Sequence, residues 1–142
     1  MKNIFREGAI LPEFIANSIA KHQIKTEIGA HATFMGQVRA DVIDDKTVSS
    51  IEYTAHETMA LEKVAEIREE AFESFDLTCM HIYHSLGEVK AGEICLFVFV
   101  SSPRRKQVYD ALPFIVDAIK DRAPIFGKEI FEDQSHQWKT NR

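Results

Sequence analysis

Three consecutive cations, Arg104, Arg105 and Lys106, open a stretch that runs on to Lys120, breaks at Pro124 and returns to Lys128. The whole chain is acidic, with a formal charge of -5. From Pro103 to Arg142, however, eight Lys or Arg stand against six Asp or Glu, a local +2. Cations gathered against the overall charge suggest an anion site, because a local positive field raises the concentration of anionic ligands. The same residues also read as the solvated face of a helix. The chemistry differs between the two cation types. Arginine stays charged, and its planar fork matches two phosphate oxygens. Lysine can also move protons, since its pKa falls when other cations crowd it.

The other reactive side chains give weaker signals. Cys79 and Cys95 sit in strand-like segments, outside any CxxC or metal-ligand spacing, and read as buried free thiols. His31, His56, His81, His84 and His136 form no metal-ligand pattern. His81 and His84 are three apart on a predicted strand and point to opposite faces. No metal and no cofactor is expected. A pI near 5.7 without a basic stripe argues against nucleic acid. The longest apolar run, ICLFVFV, is too short to span a membrane, and the first ten residues lack a secretory apolar region. A cytoplasmic protein is expected, and 142 residues with 45% hydrophobic content suit one domain over 1–142.

The elements that must position these groups follow from periodicity. Leu11-Pro12 opens a short helix with Phe14, Ile15 and Ile19 on its apolar face. A strand runs from Gly29, followed by a polar tip at Asp41 to Thr47. A second strand with Ile51 and Tyr53 completes what reads as a hairpin with a loose loop. Thr54 and Glu57 fit a capping box. The helix they open runs to about Phe75, with Val64, Ile67 and Ala71 inward and a row of glutamates outward. A strand at Thr78 to His84 and a turn at Lys90-Ala91-Gly92 lead into Ile94 to Val100. That last run is apolar on both faces and so reads as a central strand. The final helix, roughly Arg104 to Lys120, carries Val108, Leu112, Ile115 and Ile119 on one stripe, with a kink expected at Pro113. An irregular tail follows. This order gives an α+β domain with a mostly antiparallel sheet.

GAHATFMGQVR from Gly29 to Arg39 resembles a signature of the molybdopterin synthase large (catalytic) subunit family. So do HSLGEVKAGEICLFVFVSS from His84 to Ser102, DAIKDRAPIFGKE from Asp117 to Glu129, and the late Trp138. These motifs are collinear from about Gly29 to Arg142. The resemblance implies an α/β hammerhead-like domain with an additional mostly antiparallel sheet. It also implies a sulfurtransferase. A small ubiquitin-like sulfur-carrier subunit would bring a thiocarboxylate on its C-terminal Gly-Gly tail. The sulfur would pass to cyclic pyranopterin monophosphate and form the molybdopterin dithiolene. The family's assembly is a homodimer within a heterotetramer.

Residue by residue, the resemblance implies that Arg39 belongs to the substrate site. Arg104 and Arg105 match a phosphate site contributed across the dimer interface. Arg104 stands where the family has histidine, so it keeps a cation but loses a group that titrates near neutrality. The helix starting there offers free backbone N–H groups to an anion. Lys120 matches the principal catalytic lysine. The family usually shows two lysines after its aromatic residue, the first assigned to the site. Here Gly127 holds that place, and Lys128 matches the second. Either Lys128 takes over the role or the site works with one lysine fewer. Arg142 falls where some members carry a site arginine. Two other readings stay open: a non-catalytic docking subunit for the ubiquitin-like partner, and an unrelated small-anion or nucleotide-binding domain. The absence of a Gly-rich phosphate loop weakens the latter.

Overall fold

The computed structural model describes residues 3–140. In chain order its elements are β1 (Phe5–Glu7), α1 (Pro12–His22), β2 (Ala30–Gln37), β3 (Val42–Ile43), β4 (Lys46–Ala55), α2 (Glu57–Ser74), β5 (Cys79–Lys90), β6 (Ile94–Ser102), α3 (Arg105–Arg122), β7 (Ile125–Phe131) and β8 (His136–Trp138). The main sheet has the order β2-β6-β5-β4-β7-β8, with β1 beside β5 and β3 beside β4. Among the described residues only the β1–β5 pair is parallel. The expected α+β class with a mostly antiparallel sheet is what forms. No described helix is long and apolar enough to cross a membrane.

Strand β6 lies between β2 and β5 and is buried from Cys95 to Ser102, as its two-sided apolar sequence requires. One face of this region carries Leu96, Val98 and Val100 into the main core. There they meet Val64, Ile67 and Ala71 of α2 and Val108, Ala111, Ile115 and Ile119 of α3. Burying a side chain such as Ile67 or Ile115 is worth roughly 1.5–3 kcal/mol. The opposite face carries Phe97 and Phe99, which pack with Ile10 and Ile15 under α1.

Strand β5 joins two parts of the sheet. Its first half pairs with β6 and its second half, Gly87 to Lys90, pairs with β4. Between them Gly87 takes φ +81°, a left-handed value that costs any other residue a steric clash.

Three expectations differ from the structure. Strands β2 and β4 do not form a hairpin with each other: β2 pairs with β6, and β4 lies between β5 and β7. The polar tip instead closes a tight β3–β4 hairpin through Asp44 and Asp45, both at positive φ. Thr54 is no helix cap, because it pairs with Phe126 inside β4, and α2 starts only at Glu57 after His56. The expected irregular tail is the β7–β8 hairpin, which extends the sheet beyond β4.

Replacing Gly87 by alanine should lower stability by about 1–2 kcal/mol, the cost of a left-handed non-glycine residue. Urea unfolding should show a lower midpoint with an unchanged slope.

Candidate active site

Helix α3 fixes the central cation. Its buried stripe ends at Ile119, and Lys120 follows on the exposed side, in the last turn. A cation there is favoured by the helix dipole. The helix stops at Ala123, whose N–H donates to the Ile119 carbonyl at 3.0 Å. Arg122 anchors this end to α2, donating from both Nη atoms to the Glu70 carboxylate at 3.2 and 2.6 Å. That contact holds the Glu70 carboxyl below its ordinary range.

Lys120 lines two adjoining clefts of about 260 and 220 Å³, which also share Tyr53, Cys95 and Lys139. One extends past His84 and Gly127 toward Trp138. The other extends along Gly36 and Gln37 to Arg39 and includes Glu129. Arg39 forks onto Asp41, with Nε–Oδ1 and Nη2–Oδ2 contacts both at 3.3 Å. Two of its five guanidinium N–H donors serve those contacts, which leaves three for further acceptors. The structure therefore brings Arg39 and Lys120 together.

Tyr53, Cys95 and His84 form an uncharged, hydrogen-bonded part of the cleft lining. The Tyr53 hydroxyl donates to Cys95 Sγ at 3.4 Å, and the thiol donates to the Gly36 carbonyl at 3.4 Å. Burial and the neighbouring Cys95 push the Tyr53 phenol well up, so it stays a protonated donor. His84 stacks edge-on to Tyr53 and donates from Nδ1 to the Ser85 carbonyl at 2.8 Å. Burial, with a smaller contribution from the Lys120 charge, pushes its pKa down to about 4, although the Ser85 hydrogen bond opposes the shift. His84 is thus a neutral wall at pH 7.

The remaining predicted residues lie elsewhere. Arg104 and Arg105 sit with Lys106, Gly29 and Pro103 in a shallow concavity at the opposite end of α3. No acidic residue occupies that first helical turn. Fifteen residues separate Arg105 from Lys120, about 22 Å along the axis. Lys128 does not reach the clefts. It pairs with Glu52 at 3.4 Å, and strand alternation puts both on the face opposite Gly127, Glu129 and Tyr53. Arg142 lies outside the described residues.

Sequence reasoning left out Tyr53, His84, Cys95, Glu129 and Lys139 as cleft residues. His84 had a signal in opening HSLGEVKAGEICLFVFVSS, and so had Glu129, a charged residue that closes DAIKDRAPIFGKE. Glu129 is only 1% exposed and accepts a hydrogen bond from Gln137 at 3.3 Å.

On the far side of the sheet, His22, Cys79 and His81 place donor atoms within 4.8 Å of one another. Their hydrogen bonds account for the cluster. His22 Nδ1 donates to the Ser18 carbonyl at 2.7 Å, so its Nε2 accepts from His81 Nε2 at 2.8 Å, while Lys25 donates to Cys79 Sγ at 3.0 Å. A tetrahedral zinc ion with bonds of about 2.0–2.1 Å would hold its two nitrogens roughly 3.4 Å apart. The observed spacing is that of a shared proton.

The family model described as MoaE protein matches residues 11–122. The chain belongs to the MoaE protein family. Among MoaE-related proteins, the molybdopterin synthase catalytic subunit of Bacillus subtilis (strain 168) is 39% identical over 121 residues, covering 85% of this chain and 76% of that one. The protein of the same name from Emericella nidulans is 32% identical over 122 residues, 86% of this chain. This chain spans 62% of the Emericella protein and 34% of the one from Drosophila mojavensis, less than two thirds of either. Among solved structures, molybdopterin synthase from Staphylococcus aureus superposes with TM-score 0.85 at 31% identity, covering 99% of both chains. The complex of subunits 1 and 2 of molybdopterin-converting factor from Helicobacter pylori shares the fold, with TM-score 0.81 at 17% identity.

The His84 shift has a sign that can be tested. Its folded pKa, about 4, lies below the ordinary 6.5 of the unfolded chain. Above pH 6.5 it is neutral in both states. As pH falls from 6.5 to 4, only the unfolded chain takes up the proton. Stability therefore drops, by about 3 kcal/mol in total from this group. In His84→Gln the loss of stability between pH 7 and pH 4 should be smaller by that order, measured by urea unfolding at both pH values.

Proposed function

We propose that this MoaE-family chain is the catalytic subunit of a molybdopterin synthase, a cytoplasmic sulfurtransferase. It takes sulfur from the thiocarboxylated Gly-Gly tail of a small ubiquitin-like partner and delivers it to cyclic pyranopterin monophosphate. The observation that carries this reading is the convergence of Arg39 and Lys120 on adjoining clefts floored by uncharged groups. Both reactants are anionic, so a site that handles them needs fixed cations in a partly dry environment.

Arg39 holds an anionic group of the pterin with the part of its fork not taken by Asp41. Lys120 moves protons and stabilises charge that develops on the reacting atoms. Tyr53 and neutral His84 shape the cleft without adding charge. The partner's tail enters extended, since glycine permits close backbone approach in a narrow channel.

Arg104 and Arg105 take the substrate phosphate in this reading, and the length of α3 dictates how. A rigid helix separates them from Lys120 of their own chain by about 22 Å. They serve the same pterin only when a second copy brings its α3 N-terminus to this cleft. The functional unit is therefore a homodimer, with one small subunit per cleft in a heterotetramer.

A single-turnover assay with thiocarboxylated small subunit and cyclic pyranopterin monophosphate tests the reading. Wild type should form dithiolene product. Lys120→Ala, still folded and still binding the partner, should be slower by about 10²–10⁴-fold. No product from the wild-type complex would sink the proposal. The shared site has its own test. Lys120→Ala and Arg105→Ala, each impaired alone, should regain roughly a quarter of wild-type activity when refolded together in equal amounts, because half the dimers then hold one intact site. No regain on mixing would put Arg105 in the cleft of its own chain or outside the reaction.

A further inference from the structure

We infer that Lys139 is the second substrate-contacting lysine of this cleft, acting beside Lys120 on the charge that develops during sulfur transfer. This rests on the function proposed above. Four side chains are common to both clefts, and Lys120 and Lys139 are the two cations among them. Lys139 is half-buried and follows directly after β8. Its backbone N–H donates to the Gly127 carbonyl at 2.7 Å, continuing the β7–β8 ladder by one step. Lys139 therefore stands opposite Gly127, on the face shared with Tyr53 and Glu129.

Strand β7 itself cannot supply this charge. At Gly127 a Cβ atom would lie 2.9 Å from Ile51 Cγ2 and 3.2 Å from Tyr53 Cε1. A side chain there has to push back the tyrosine that floors the cleft. The next residue, Lys128, faces the other way, toward Glu52. Lys139 lines the same two clefts from just past the neighbouring strand. The buried Glu129 carboxylate in one of the two clefts offsets part of the positive charge that two ammonium groups bring.

In the step Lys139 serves, the donor sulfur is already bonded to the pterin carbon. Water then adds its oxygen to the acyl carbon of the partner's tail. The acyl–sulfur bond breaks, and its electron pair leaves with sulfur. One water proton goes to the departing thiolate. The other leaves the new carboxyl group for solvent, so the partner ends as a carboxylate and the pterin keeps a thiol. Negative charge gathers on the acyl oxygen and then on sulfur. A fixed ammonium lowers the energy of both without moving a proton itself.

The test is the single-turnover reaction with wild type, Lys139→Ala, Lys139→Arg, Lys139→Gln and Lys128→Ala. Partner affinity and thermal unfolding are measured on each variant. Lys139→Ala and Lys139→Gln should lose about 10²-fold in rate. Lys139→Arg should recover most of it, and Lys128→Ala should match wild type. Recovery by arginine but not by glutamine marks a charge effect, which a purely structural role would not produce. Wild-type product with an unchanged rate in Lys139→Ala overturns this inference and leaves the sulfurtransferase reading standing. Equal losses in Lys139→Arg and Lys139→Ala also overturn it. No product from any form, wild type included, overturns both.

Discussion

The packing of α3 against the central strands is the contact on which the rest of the arrangement depends. Val108, Ala111, Ile115 and Ile119 are buried in the main core with Val98 and Val100 of β6. That stripe fixes the rotation of the helix about its axis. It thereby fixes where the residues off the stripe point, Lys120 among them. The bidentate Arg122–Glu70 contact then restrains the last turn against α2. Both of those side chains stay partly exposed to water, so the pair locates the helix end more than it stabilises the fold.

The same rigidity creates a requirement. A helix of 18 residues is a spacer of about 27 Å. One end carries Lys120 to the clefts, and the other presents Arg104 and Arg105 to solvent, while Lys106 pairs with Asp110 at 2.8 Å. A first turn rich in cations is unfavourable against the helix dipole unless an anion is near. The chain tolerates that cost at a place its own clefts cannot use. A symmetric pair of copies resolves the conflict, because a two-fold axis can bring one helix start to the other copy's helix end.

What the sequence revealed follows the nature of each signal. Strand β6 and the stripe of α3 were legible because local periodicity sets them. The pairing of β2 with β6 was not, because it joins residues some seventy positions apart and nothing local encodes the choice. Strand β7 was hidden by its own composition. Gly127 and Glu129 occupy the inward positions where alternation calls for apolar side chains, one to leave room for Tyr53 and the other to bury a carboxylate. Without β7 in the sequence pattern, neither the direction of Lys128 nor the position of Lys139, two strands from β4, follows from the sequence. Arg39 and Lys120 needed no such knowledge, since the resemblance of GAHATFMGQVR and DAIKDRAPIFGKE to the family's motifs marks them without any strand pairing.

The relation between Gly127 and Lys139 shows why reading a site position by position misses what the cleft selects. Opposed residues on antiparallel strands hold their side chains about 4.5–5.5 Å apart on one face. A lysine stem is long enough to bring its ammonium to the same volume from either strand. What the chemistry constrains is where positive charge sits relative to Lys120, Tyr53 and the incoming acyl group. It does not constrain which strand supplies that charge. With the β7 position closed by Ile51 and Tyr53, supply from the β8 side leaves the tyrosine in place and keeps the Tyr53–Cys95–Gly36 hydrogen bonds that order the floor. Aligned along the chain, Gly127 reads as a missing catalytic group. In space the charge stands on the adjacent strand, and the glycine is the residue that makes room for the aromatic ring between them.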